Sequence, residues 1–286
     1  MRNLIRYGAK IMVVLLLGGF LGATLVRLAP GFGVDEQELD SRLSHQSIQA
    51  LKQSRASDSS LVGYYVRYLT RILHGDLGTS RTLNIPVRRL LAERLPETMK
   101  SVGLGLVLGW TLGLSLAIAA VISRNWCLDL LASLLAGVIL CLPAAALALL
   151  FVIARAPGRL ALGLIVFPKI FSYARNLLER SASLPHVLTA RAKGLGSFRL
   201  FVWHILPVSA PQLVALAGVS VSLAFAASIP VEVLCDLPGI GQLAWKAALG
   251  RDLELLVILT LIVTLVTLVA NSAADLLKIS SRVEEA

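Results

Sequence analysis

Along this chain, long stretches without a charged residue alternate with short basic ones. Uncharged runs extend over Ser101–Ile122, Leu130–Ala154, Ile205–Val231 and Leu255–Ala274. Each reaches the roughly 20 residues that a helix rising about 1.5 Å per residue needs to cross a hydrocarbon core of about 30 Å. A shorter apolar run, Ile11–Val26, has Arg2, Arg6 and Lys10 before it and Arg27 after it. Arg27 and Pro30 crowd the place where small residues would mark a signal-peptide cleavage site, so this run is read as a retained first helix. The run from about Leu160 to Leu178 is the weakest, because Pro168 and Lys169 interrupt it. The pattern predicts an all-α membrane protein of about six transmembrane helices. Its expected parts are an N-terminal transmembrane helix (residues 1–28), one extracytoplasmic amphipathic segment between helices 1 and 2 (29–98), and a core of about five transmembrane helices (99–286).

The polar segment has a pattern of its own. Ser54–Ser60 is serine-rich, and Val62–Leu73 interleaves tyrosine and leucine with Arg67 and Arg71, as in an amphipathic helix lying against a membrane. Two glycines in His74–Gly78 stop it. Pro86 then opens a helix with Val87, Leu90, Leu91 and Leu95 on one side and Arg88, Arg89, Glu93 and Arg94 on the other, an interfacial lead into the second span. In that span Gly105, Gly109 and Gly113 recur every fourth residue and leave a bare face for another helix. Pro143 predicts a kink in the third span.

Composition agrees with the membrane reading: of 286 residues 56% are hydrophobic and 15% charged, with a mean hydropathy of +0.78. The net charge of +10 is scattered between apolar runs rather than gathered on a soluble face with aromatics, so it argues for membrane lipid and against nucleic acid as partner. With the N-terminus inside, the cytoplasmic loops collect eleven basic residues: Arg2, Arg6, Lys10, Arg124, Arg175, Arg180, Arg191, Lys193, Arg199, Lys278 and Arg282. The short outer loops hold four, Arg155, Arg159, Lys246 and Arg251. That asymmetry places both termini in the cytoplasm. Lys169 is read as snorkelling from a helix end, with Arg175 close behind it; the alternative is that it lines a pathway.

Candidate chemistry is sparse. No lysine follows a glycine, which excludes a GxxxxGK[ST] phosphate loop, and neither HExxH nor G-x-S-x-G occurs. No catalytic, cofactor-binding or metal-ligating residue is assigned, and a membrane-embedded enzyme is the remote alternative. Cys127, Cys141 and Cys235 have no metal or redox spacing and are read as small apolar fillers.

The informative segment is the cytoplasmic loop over residues 179–206. Ser183 and Pro185 form a helix-start signal, His186–Lys193 is helix-compatible, and Gly194 supplies the left-handed residue that ends it. Ser197 is placed to cap a second short helix, Phe198–Leu206, and Pro207 starts the fifth span where a missing N–H does no harm. Arg191, Lys193 and Arg199 would project outward, while Val187, Leu188, Ala190 and Ala192 would offer a small apolar face to a partner's groove. A solvated positive-inside loop is the alternative.

Thr189-Ala190-Arg191-Ala192-Lys193-Gly194, with Leu206-Pro207 twelve residues on, resembles the coupling motif of ABC importer permeases in the dipeptide, oligopeptide and nickel branch. Against the wider pattern of Glu-Ala-Ala, three residues, Gly, nine residues and Ile-X-Leu-Pro, Leu188, Thr189 and His204 depart. Arg27–Gly31, Gly75–Gly78 with Pro86-Val87 and Glu93–Pro96, Glu232, Pro238–Gly241 and Arg251-Asp252 are similar to further stretches of that branch, in the same order. The short link Arg155–Arg159 and the absence of a C-terminal Asp-Pro-Arg are departures.

The resemblance implies an ABC importer permease fold in a bacterial plasma (inner) membrane, without an ATPase site of its own. It implies a second permease subunit, identical or paralogous, two cytoplasmic ATPase subunits that bind the ATP, and an extracytoplasmic substrate-binding protein where one docks. Thr189, Ala190, Arg191, Ala192, Lys193, Gly194, Leu206 and Pro207 would couple to the ATPases. Glu232, Pro238, Gly239 and Gly241 are outer-gate candidates, with a capped, solvated carboxylate as the other reading of Glu232. The expected cargo is peptide or a related small solute; an export permease or a non-transporting scaffold of the same fold is the alternative.

Overall fold

A computed structural model describes residues 70–283 except 73 and 81, and scattered positions between 12 and 24; the side chains of residues 253 and 278–283 are outside the description. The described positions between 12 and 24 are helical. Ser54–Ser60, Arg27–Gly31 and nearly all of the expected helix Val62–Leu73 lie outside the described residues. The helices are α1 (Val87–Ser123), α2 (Trp126–Cys141), α3 (Ala144–Ile153), α4 (Gly158–Ala182), α5 (Pro185–Ala192), α6 (Ser197–Leu200), α7 (Leu206–Leu234), α8 (Ile240–Leu249) and α9 (Leu253–Val283). A π-helical turn, Phe201–Ile205, joins α6 to α7.

Four of these segments are long and apolar enough to cross a membrane: Val87–Ser123, Gly158–Ala182, Ser197–Leu234 and Glu254–Leu277. The bent pair α2 and α3 makes five if taken as one span. The helix opening after Pro86 leads into the second span without a break, as α1 through Pro96; the structure alters two other expectations here. The expected sidedness of α1 holds as far as Glu93, with Val87, Leu90 and Leu91 buried and Arg88, Arg89 and Glu93 exposed, while Arg94 and Leu95 are both half-buried. The expected kink at Pro143 is a 97° bend that divides the third span in two, because Pro143 cannot donate an N–H to the end of α2 and instead stands at the position just before α3. The weakest run is a continuous 25-residue helix, α4, through Pro168 and Lys169. Tertiary packing offsets the loss of one backbone hydrogen bond, since half of its apolar window is buried.

The chain forms two compact units, each described by itself: Met1–Glu93 with Ala244–Leu265, and Arg94–Leu243 with Val266–Ala286. In the first, Gly75 (φ 81°) and Gly78 (φ 73°) turn the chain and Thr79 pairs with Pro86 in an isolated antiparallel bridge. Asp252 is buried in this unit. It accepts hydrogen bonds from the Ser80 hydroxyl (2.6 Å), the Thr82 N–H (3.2 Å) and the Leu255 N–H (3.2 Å), which makes it the cap of α9.

In the second unit α4 packs against α2, α3 and α7. Its core joins Phe171, Leu178, Val187, Leu200, Phe201 and Ile205. The glycine stripe of α1 meets α4 as expected. A Cβ on Gly105 would come within 2.6 Å of the Leu162 Cβ, and one on Gly113 within 3.0 Å of the Phe171 backbone N. Small residues allow this approach where lipid gives helices no hydrophobic reason to associate. Trp110 Nε1 donates to the Ser220 hydroxyl (3.0 Å) and Asn271 Nδ2 to the Ser222 hydroxyl (3.0 Å), satisfying polar groups inside spans. The cysteines are not core fillers as a group: Cys127 and Cys141 are exposed and Cys235 is half-buried.

Candidate functional site

The loop between α4 and α7 is built by its own sequence. Pro185 stands in the first turn of α5, where its missing N–H is harmless. Ser183 does not start that helix; it ends α4, its hydroxyl donating to the Arg180 carbonyl (2.8 Å). At the other end Gly194 adopts φ 83°. Its N–H bonds to the Arg191 carbonyl (2.9 Å) and the Leu195 N–H reaches back to Ala190 (3.5 Å), the paired bonds of a Schellman stop. Gly196 rather than Ser197 occupies the cap position before α6, with no side-chain bond.

The expected separate second helix is four residues long and runs through the π turn into α7. Pro207 explains this. It has no N–H for the Trp203 carbonyl, so the hydrogen-bond ladder shifts, and the Leu206 N–H bonds to Phe201, five residues back.

Packing divides the loop's side chains. Val187 and Ala190 are buried in the unit's own core, so they do not belong to an outward apolar face, contrary to the sequence expectation. They fix α5 to the end of the bundle. Leu188, Thr189, Ala192 and Lys193 are exposed and Arg191 is half-buried. Thr189 turns its hydroxyl onto the Pro185 carbonyl within α5 (2.9 Å). Leu206 is half-buried and Pro207 exposed at the start of α7. The outward apolar residues are instead Leu188, Phe198 (75% exposed) and Trp203 (70%). Sequence reading missed the two aromatics, although two large aromatics in a basic loop are a visible signal.

Beside this loop lies a cleft of about 630 Å³ lined by Asp129, Arg175, Glu179, Leu188, Arg191 and Phe201, among others. Arg175 holds the Asp129 carboxylate with both Nε and Nη2, the latter at 2.6 Å, and Nη1 lies 3.3 Å from Glu179. This bidentate fork ties the first turn of α2 to α4. Asp129 was not singled out in the sequence. The two residues are 46 positions apart, so only the antiparallel arrangement of the spans could reveal the pair.

At the other end of α7, Glu232 is fully buried. It accepts from the Thr98 hydroxyl (2.7 Å), the Gly241 N–H (2.7 Å) and the Gln242 N–H (3.3 Å), while Thr98 accepts from the Ile240 N–H (2.8 Å). The carboxylate thus satisfies free N–H groups in the first turn of α8, where a negative charge is favoured. It is capped but not solvated. Gly239 and Gly241 come against it: a Cβ on Gly239 would overlap the carboxylate, and one on Gly241 would lie 2.9 Å from Oε2 and 2.8 Å from the Ile229 Cα. Pro238 is exposed beside them.

These features define an integral membrane protein of apolar spans, with a structured, basic loop between α4 and α7. Residues 105–280 match the family described as the binding-protein-dependent transport system inner membrane component, and the chain belongs to that family. Among its relatives is the provisionally named peptide permease protein of Brucella suis biovar 1, 27% identical, with 88% of each chain covered. The glutathione transport system permease protein of Salmonella paratyphi A is 26% identical over 81% of this chain and 82% of its own. The oligopeptide transport system permease protein of Escherichia coli K12 is 26% identical over 84% of each.

Proposed function

We propose that this chain is the permease subunit of an ATP-driven importer of peptides or peptide-like solutes, coupled through residues 179–206 to separate ATPase subunits. The observation that carries the coupling reading is the build of α5. The helix is anchored from beneath by Val187 and Ala190 and stopped by Gly194 at φ 83°, and it presents Leu188, Thr189, Ala192 and Lys193 outward. A short helix held rigidly at the end of a bundle moves with that bundle. A partner gripping its exposed side therefore transmits a displacement rather than bending a loop. Two permease subunits, each seated on one ATPase, would rock between inward-open and outward-open states as the ATPase pair closes, a rigid-body transition with no covalent chemistry in this chain.

Peptide as cargo is supported by the named substrates of two relatives, glutathione and oligopeptides, both peptides. Both termini and the 179–206 loop face the cytoplasm in this reading, as the distribution of basic residues requires. Glu232, Gly239 and Gly241 would hold the outer ends of the spans together as a latch at the outer gate.

The test is purification of the tagged chain from its native membrane in mild detergent, with ATP hydrolysis measured on what co-purifies. An ATPase and a second permease are expected. Gly194→Glu, which forces a side chain into the left-handed turn, should lose the ATPase and keep the second permease. Recovery of the chain without ATPase activity, or a Gly194→Glu variant that retains it, would sink the coupling reading.

A further inference from the structure

Lys169 does not lie at a helix end. It is eleven residues from Gly158 and thirteen from Ala182 within α4, about 16 Å and about 20 Å along the axis at ~1.5 Å per residue. It lines a cavity of about 300 Å³ whose other walls include Leu142, Ala144, Leu147, Ile165 and Ala226, and among the described residues it is the single charged one there. The cavity lies where the third span breaks, and Pro143 at the break offers α3 no side-chain cap, so the open N-terminal N–H groups of α3 add to the positive field. Among the described residues Lys169 has no acidic partner. Arg175, one and a half turns on, is by contrast fully engaged with Asp129 and Glu179.

Lys169 is half-buried, and an ammonium group that shares a cavity with leucine, isoleucine and alanine side chains favours an anion beside it. The geometry points to this cavity as a subsite of the transport pathway that takes the carboxylate of an anionic solute, with Lys169 as its counter-ion. This rests on the reading of the chain as a peptide permease and names which end of the cargo the site holds: the free C-terminal carboxylate, with the apolar wall accepting the adjoining side chain.

The test uses the assembled transporter in proteoliposomes, with Cys127, Cys141 and Cys235 replaced by alanine and Ala226→Cys as reporter on the cavity wall. The probes are anionic sulfonatoethyl methanethiosulfonate and cationic trimethylammonioethyl methanethiosulfonate, each rate normalised to that with free cysteine. With Lys169 present the anionic reagent should react about tenfold faster than the cationic one, the scale on which a charged cleft concentrates a counter-ion. The ratio should fall to about one in Lys169→Met and survive in Lys169→Arg. Failure of both reagents to react, or a ratio indifferent to Lys169→Met, would overturn the proposal.

A second arm compares ATP-driven uptake of trialanine and trialaninamide. A preference for the free acid that disappears in Lys169→Met supports the site, and the same preference in both forms refutes it. Uptake of neither peptide, together with a Lys169-dependent reagent ratio, leaves the anion site standing and removes peptide as cargo.

Discussion

The cluster around Glu232 makes a quantitative prediction. Thr98→Val keeps the shape of the side chain and removes its hydroxyl, with two effects: the charge-assisted bond to Glu232 (2.7 Å) is lost, and the Ile240 N–H, which donates to that hydroxyl at 2.8 Å, is stranded. A hydrogen bond to a charged group contributes about 1.5–3 kcal/mol, and stranding a buried donor costs about 1–3 kcal/mol. Thr98→Val should therefore destabilise the protein by roughly 2.5–6 kcal/mol. In a Glu232→Ala background the carboxylate is already gone, so Thr98→Val should cost only the stranded N–H. The double-mutant cycle isolates the difference, a coupling of about 1.5–3 kcal/mol.

Reversible unfolding in mixed micelles by titrated denaturing detergent, followed by tryptophan fluorescence, gives the four stabilities. Trp110 lies in α1, the helix that carries Thr98, and Trp245 in α8, the helix that carries Ile240, Gly241 and Gln242. A coupling below about 0.5 kcal/mol, the level at which independent sites add, would refute the claim that this carboxylate is held by direct bonds.

Other expectations follow from the same geometry. At Gly194 the backbone is left-handed with no atom within 4 Å of a would-be Cβ. Gly194→Ala should thus cost about 1–2 kcal/mol from conformation alone and Gly194→Asn less, read as the order of melting temperatures of the purified chain. Arg175→Lys keeps the charge but loses the fork on Asp129, and should lower stability by about 1 kcal/mol in the same unfolding assay. An equal loss in Asp129→Asn, with no further loss in the double variant, would identify the pair as the cause. On α1, Gly113→Val drives a side chain into Ile170 and Phe171 and should cost about 1–3 kcal/mol. Gly103→Val, where nothing lies within 4 Å, should cost far less. Similar melting temperatures for those two variants would contradict the packing of α1 on α4.

Much of the loop was legible before any coordinates, because its punctuation is local. Pro185 at the start of α5 and Gly194 at its end act within a few residues of themselves, so a string of residues suffices to place them. The glycine stripe of α1 was equally readable, since a helical repeat of small residues defines a face without naming the partner. Ser183 and Ser197 misled for the opposite reason. A serine near a helix boundary can bond backward as well as forward, and Ser183 bonds to the helix behind it.

The chain's own order of residues determined that it is a membrane protein, roughly where its spans lie, and where the loop turns. Those properties follow from the length of uncharged runs and from backbone preferences at single residues. Tertiary structure alone decided what each buried side chain meets. It buried Val187 and Ala190 in the core, put Glu232 beneath α8, joined Asp129 to Arg175, and opened a cavity at Lys169. The sequence permitted each of those side chains several environments. Only the approach of helices distant in sequence selects one, because burial and hydrogen bonding depend on neighbours in space rather than along the chain.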